Sequence, residues 1–160
     1  MKKPRVYVDT SVIGGCFDPE FRFWSNGLVE DFRRGRFGLV LSDVTAAEIE
    51  PAPTVVRALH TELLSIAEVL SVTEETTAVL AAYVDHKVLG PRFRNDMLHI
   101  ALATVAAVDV LVSWNFRHIV RWDKMQQFNG INLELGYRVL AIHSPREVTT
   151  YGREDSDQSR

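Results

Sequence analysis

Val6-Tyr7-Val8-Asp9-Thr10-Ser11 is the stretch on which the reading of this chain turns. Val6 and Val8 around Tyr7 form a β-branched and aromatic run too short for a helix, which predicts a buried strand. That strand ends on a carboxylate followed by hydroxyls. Burying a charge is costly unless it is paired or binds a metal, so packing alone gives no reason for Asp9. In parallel α/β sheets, ligands bind in the crevice outside the carboxyl ends of the strands. Asp9 is therefore the first candidate site residue.

Working outward, the next segment carries Gly14, Gly15 and Pro19 and reads as a loop, with Phe17, Phe21, Phe23 and Trp24 making it aromatic. Ser25 is placed to cap a helix that Gly35 ends. Gly38-Leu39-Val40-Leu41-Ser42 follows as a second strand, apolar throughout and so covered on both faces. Thr45 and Glu48 have capping-box spacing, which is the structural explanation of Glu48. A helix is expected over 54–65, a third strand over 68–72, and a helix from Thr73 to about Leu89 that Gly90-Pro91 stops.

Asp96 opens a helix that is apolar nearly all round, where it would complement the helix dipole. His99 lies one turn on, either supporting Asp96 or satisfied within the core. Val110-Leu111-Val112-Ser113-Trp114 is the fourth strand, and Asn115 at its end can cap a short turn. A further short turn over 131–135 precedes a last strand over 138–142, and the segment 149–160 reads as a disordered tail behind a single domain, 1–148.

Strands alternating with helices, most of them continuously apolar, argue a parallel sheet with both faces covered. Composition agrees: 46% hydrophobic and 24% charged residues are those of an ordinary globular protein. The net charge of −3 lends nothing to nucleic-acid binding, and the clusters Lys2-Lys3, Arg33-Arg34-Arg36 and Arg117-Arg121-Lys124 read as solvated surface. A single cysteine, Cys16, excludes an intramolecular disulfide. No leader-like or membrane-spanning run is seen, and a cytoplasmic location is the expectation. Asp9, Glu48, Asp96 and Asn115 meeting at one sheet edge would repel one another without a cation, and hard oxygen ligands favour Mg²⁺ or Mn²⁺.

Four segments together resemble the PIN domain, closest to the VapC-type toxins of bacterial toxin–antitoxin pairs. They are Val6 to Ser11, Ser42-Asp43-Val44-Thr45-Ala46-Ala47-Glu48-Ile49, Asn95-Asp96-Met97-Leu98-His99-Ile100-Ala101 and Leu111-Val112-Ser113-Trp114-Asn115-Phe116. The resemblance implies a three-layer α/β/α sandwich on a five-stranded parallel sheet of order 3-2-1-4-5. It also implies a divalent-metal-dependent ribonuclease that forms a homodimer and binds an antitoxin. On that pattern Asp9, Glu48 and Asp96 match an acidic triad, and Asn115 stands at a fourth position that is usually Asp. The amide brings no charge, which favours use of a single metal. The alternative is a catalytically weak module that binds RNA or antitoxin. A phosphatase on a similar sheet would need a second Asp where Ser11 stands.

Overall fold

The computed structural model describes residues 2–152. Five strands form one parallel sheet in the order β3-β2-β1-β4-β5: β1 Arg5–Val8, β2 Gly38–Ser42, β3 Glu68–Leu70, β4 Val110–Val112 and β5 Ile142–His143. The first strand is thus the central one. Val6 lies opposite Leu39 on one side and Val110 on the other. Being hydrogen-bonded on both flanks and covered on both faces, β1 needs apolar side chains in both directions, as its sequence supplies.

The strand alternation sorts the core into two layers. Tyr7, Val40 and Leu111 face the helices α5 (Glu74–Asp85), α6 (Arg94–Val105) and α7 (Trp122–Glu134). Val6, Val8, Leu39, Leu41 and Val112 face α1 (Thr10–Gly15), α2 (Arg22–Arg33) and α4 (Thr54–Leu64). The short α3 (Asp43–Ile49) joins the two, with Val44 in the first layer and Ile49 in the second. The architecture is the three-layer sandwich expected, with the expected strand order. Among the described residues no helix is long and apolar enough to cross a membrane.

Several local expectations are corrected. The glycine-bearing segment after Asp9 is helical from Thr10, because the chain needs small residues there for packing rather than for a loop. A Cβ on Gly15 would stand 2.7 Å from Ser25 Oγ and 2.8 Å from Trp114 Nε1. Ser25 itself is no cap; it is buried inside α2 and its hydroxyl accepts from Trp114 Nε1 at 2.8 Å. The helix expected to reach Leu89 ends at Asp85, where Lys87 turns the backbone left-handed (φ 54°) and returns Val88 to the core. The short turn expected over 131–135 is the end of the 13-residue α7. The last strand is Ile142–His143 rather than 138–142. Packing also runs past Val148 through the short α8 (Pro145–Val148): Thr149 is fully buried and Thr150 is tied to Asp31. Most of the expected tail, residues 153–160, lies outside the described residues.

Candidate active site

The carboxyl ends of β1 and β4 bring Asp9 and Ser113 together although 104 residues separate them. Asp9 is only 5% exposed. Ser11 Oγ donates to its Oδ1 and Ser113 Oγ to its Oδ2, both at 2.6 Å. Each serine oxygen accepts a backbone N–H in turn, from Trp114 and Asn115 respectively, at 2.9 Å. That acceptance directs the serine protons onto Asp9, so both carboxylate oxygens act as acceptors, each keeping a second lone pair. No lysine or arginine bonds Asp9 among the described residues. Burial pushes its carboxyl above the ordinary range, with the nearby Glu48 charge adding to the effect and His99 and the serines opposing it.

Glu48 comes from α3. The helix begins at Asp43, three residues earlier than the capping-box reading requires, and Thr45 is buried inside it. Glu48 therefore caps nothing, and its structural explanation is removed. Instead Oε1 accepts from Thr10 Oγ1 at 2.9 Å and lies 2.6 Å from His99 Nε2. The other ring nitrogen, Nδ1, lies 2.5 Å from the Tyr7 hydroxyl, itself 2.7 Å from Ser42 Oγ. His99 and Tyr7 are both out of contact with water. His99 thus supports Glu48 rather than Asp96. Burial pushes Glu48 up, but hydrogen bonding and charge from His99, with the Thr10 hydroxyl, outweigh it and hold its carboxyl below the usual range.

Asp96, in the first turn of α6, faces the loop after β4. Its Oδ2 accepts from Asn115 Nδ2 at 3.3 Å and lies 3.0 Å from His118 Nδ1. Asn115 is oriented from behind: its Oδ1 accepts the backbone N–H groups of Arg117 (3.2 Å) and His118 (3.0 Å). It caps the turn as its sequence position allows, and presents nitrogen rather than oxygen to Asp96. Ser113 connects the two halves, bonding Asp9 through its hydroxyl proton and Asn115 through its oxygen. The four sequence-derived residues thus lie at one sheet edge as two linked groups, Asp9 with Glu48 and Asp96 with Asn115. Among the described residues no three His, Cys, Asp or Glu side chains form a ready metal cage. Asp123 stays out of this network, paired with Arg121 at 2.7 Å, and Glu50 lies exposed beyond α3.

No protein-family model and no curated protein matches the chain. Solved structures do. VapBC2 from Rickettsia felis, bound to a DNA fragment from its promoter, contains a chain that aligns over 88% of this one and 98% of its own, with a TM-score of 0.57 and 12% identity. FitAcB from Neisseria gonorrhoeae aligns over 89% and 99%, with a TM-score of 0.57 and 15% identity. VapBC-1 from nontypeable Haemophilus influenzae aligns over 89% and 98%, with a TM-score of 0.56 and 15% identity. The chain has the PIN-domain fold. Within this PIN fold, sequence reasoning found the four polar residues and missed their holders. His118 carried no signal, because only the β4 loop's return to α6 brings it to Asp96. Tyr7 read as strand filler, though a tyrosine between buried valines needs a partner for its hydroxyl.

Proposed function

We propose that this chain is a divalent-metal-dependent endoribonuclease, the toxin of a toxin–antitoxin pair, acting on RNA phosphodiester bonds in the cytoplasm. The observation that carries the proposal is Asp9, a buried carboxylate whose bonded side-chain donors are hydroxyls, with no lysine or arginine bonded to it among the described residues. The donor chemistry fits Mg²⁺ or Mn²⁺: hard oxygens on Asp9, Asp96 and Glu48, with lone pairs to spare. Asp9 and Asp96 would hold the ion most directly. When bound, such an ion polarises a phosphoryl oxygen and lowers the pKa of its water.

The chain's own groups supply the rest. Glu48 is fixed through Oε1 by Thr10 and His99, which leaves Oε2 to orient the attacking water. Asn115 orients Asp96 and adds no charge, so the site is suited to one ion rather than two. A fold shared with chains of VapBC and FitAB complexes supports an antitoxin partner, and the sequence resemblance to VapC-type toxins carries the homodimer.

The test is cleavage of a pool of structured RNAs by purified protein with Mg²⁺, Mn²⁺ or EDTA, beside a folded Asp96→Asn variant. Cleavage that requires metal and is lost in the variant is the expected result. Well-folded protein that cleaves nothing with any metal overturns it. That outcome would favour the second reading, a binding module, which the uncharged Asn115 already suggests; Asn115→Asp would then be the variant to assay.

A further inference from the structure

A polyanion approaching Asp9, Glu48 and Asp96 meets negative charge first, so its binding energy has to come from the rim. The guanidinium groups of this chain divide by position. Arg5, Arg33, Arg34, Arg36 and Arg121 each pair with a carboxylate. Arg22, Arg57, Arg92, Arg94, Arg117, Arg138 and Arg146 are exposed and have no carboxylate partner among the described residues; of these, Arg92, Arg94 and Arg117 belong to the segments around the site. These three flank Asp96 from two segments. Arg92 and Arg94 lie on the turn Pro91–Phe93 and at the start of α6; Arg117 lies in the loop that carries Asn115 and His118. The segments meet where the Phe93 ring packs on His118, centroids 3.9 Å apart, with the Arg92 guanidinium 4.7 Å from the Phe93 centroid.

Beside them stands Phe116, 51% exposed although Ser113 and Trp114 just before it are buried. It is braced from behind: Trp114 meets it edge-on at 6.1 Å and is itself stacked on Phe21 at 4.2 Å. A rigid aromatic ring, open to water and one residue from a group that bonds Asp96, is suited to stacking an unpaired base. Unpaired arginines around it are suited to backbone phosphates. A duplex hides its base faces and would leave Phe116 unused. An acidic peptide would engage the arginines but gains nothing particular from the ring.

We infer that Phe116 with Arg92, Arg94 and Arg117 forms a binding surface for single-stranded RNA, Phe116 stacking a base next to the phosphate that a metal ion at Asp96 would hold. The inference rests on the nuclease reading for where the strand runs, and is tested without catalysis. Fluorescence anisotropy of a labelled single-stranded oligoribonucleotide in EDTA is compared with that of its duplex. Phe116→Ala should weaken single-strand binding about tenfold or more, and Phe116→Trp should restore it. The double variant Arg94→Gln with Arg117→Gln should reduce the slope of log affinity against log salt by about 1.4.

The surface assignment is overturned if Phe116→Ala binds like wild type, if the duplex binds as tightly as the single strand, or if wild type binds neither. Binding through Phe116 by a protein that cleaves nothing in Mn²⁺ keeps the surface and removes the nuclease. Cleavage with binding indifferent to Phe116 does the reverse.

Discussion

Asp9 and Asp31 are the aspartates that folding removes from water among the described residues, at 5% and 0% exposure, and their surroundings are opposite. Asp31, on α2, receives Thr149 Oγ1 at 2.7 Å, the Thr150 backbone N–H at 3.0 Å, Thr150 Oγ1 at 2.5 Å and Arg36 Nη1 at 3.1 Å. It has a cation and a full set of donors, and it clamps the C-terminal segment onto α2. Close approach at Gly27, where a Cβ would lie 3.0 Å from Thr149 Oγ1, belongs to the same clamp. Asp9 has two hydroxyls and no bonded lysine or arginine among the described residues, with only the nearby His99 charge opposing its burial. Complete neutralisation marks a carboxylate kept for the fold. Incomplete neutralisation at a sheet edge is what the proposed metal site requires of Asp9.

The contrast can be broken by substitution. Asp9→Asn should lower metal-dependent RNA cleavage by orders of magnitude while leaving the urea unfolding midpoint at or above that of wild type. A variant that unfolds instead would place Asp9 with Asp31. Asp31→Ala should destabilise by about 3 kcal/mol in the same urea titration, because Arg36 and two threonines lose their acceptor. Limited proteolysis should then cut within 149–152 sooner than elsewhere. Mn²⁺ at about a hundred times its dissociation constant should stabilise wild type by about 2.7 kcal/mol and leave Asp9→Asn unmoved. An equal shift in both proteins would separate the ion from Asp9.

Proton binding sharpens the comparison. In the unfolded chain Asp9 loses its proton in the ordinary carboxylate range, whereas in the fold burial holds that proton to higher pH. The folded state then binds more protons over that window, so stability declines as pH rises through it and is level above. In EDTA, wild type should lose stability relative to Asp9→Asn across the window by up to about 1.4 kcal/mol per pH unit. Urea melts at stepped pH read this directly, and a flat difference would refute it. The smallest effect concerns the support behind Glu48. Tyr7→Phe removes hydrogen bonds to His99 and Ser42 and should cost about 1 kcal/mol of stability.

The sheet was legible because each central strand is written in β-branched and aliphatic residues that no exposed element would use. The resemblance carried the strand order, which periodicity does not contain. The helix α7 was hidden because its buried positions, Phe128, Ile131 and Asn132, lie among polar residues and Gly130, which weakens any apolar stripe. The helix after Asp9 was masked by two adjacent glycines, of which Gly15 is required by the proximity of Trp114, about a hundred positions away. Within the site, Asp9 could be found because a charge at a strand end is conspicuous, whereas Glu48 and Asp96, on helices, were singled out by the resemblance. Their holders could not: Ser113, His118 and Thr10 are ordinary residues until the fold sets them beside a carboxylate.

The central place of β1 has a consequence for when the candidate site is assembled. The strand precedes its neighbours β2 and β4 in the chain, and of the two hydroxyls that fix Asp9 the second, that of Ser113, arrives 104 residues later. A ribosome that has translated only the first hundred codons holds a chain with Asp9, Glu48 and Asp96 but neither β4 nor Ser113. Nascent and prematurely terminated chains therefore have all three acids and no assembled site. The topology acts as a delay: the candidate site is completed only when synthesis of the domain is well advanced.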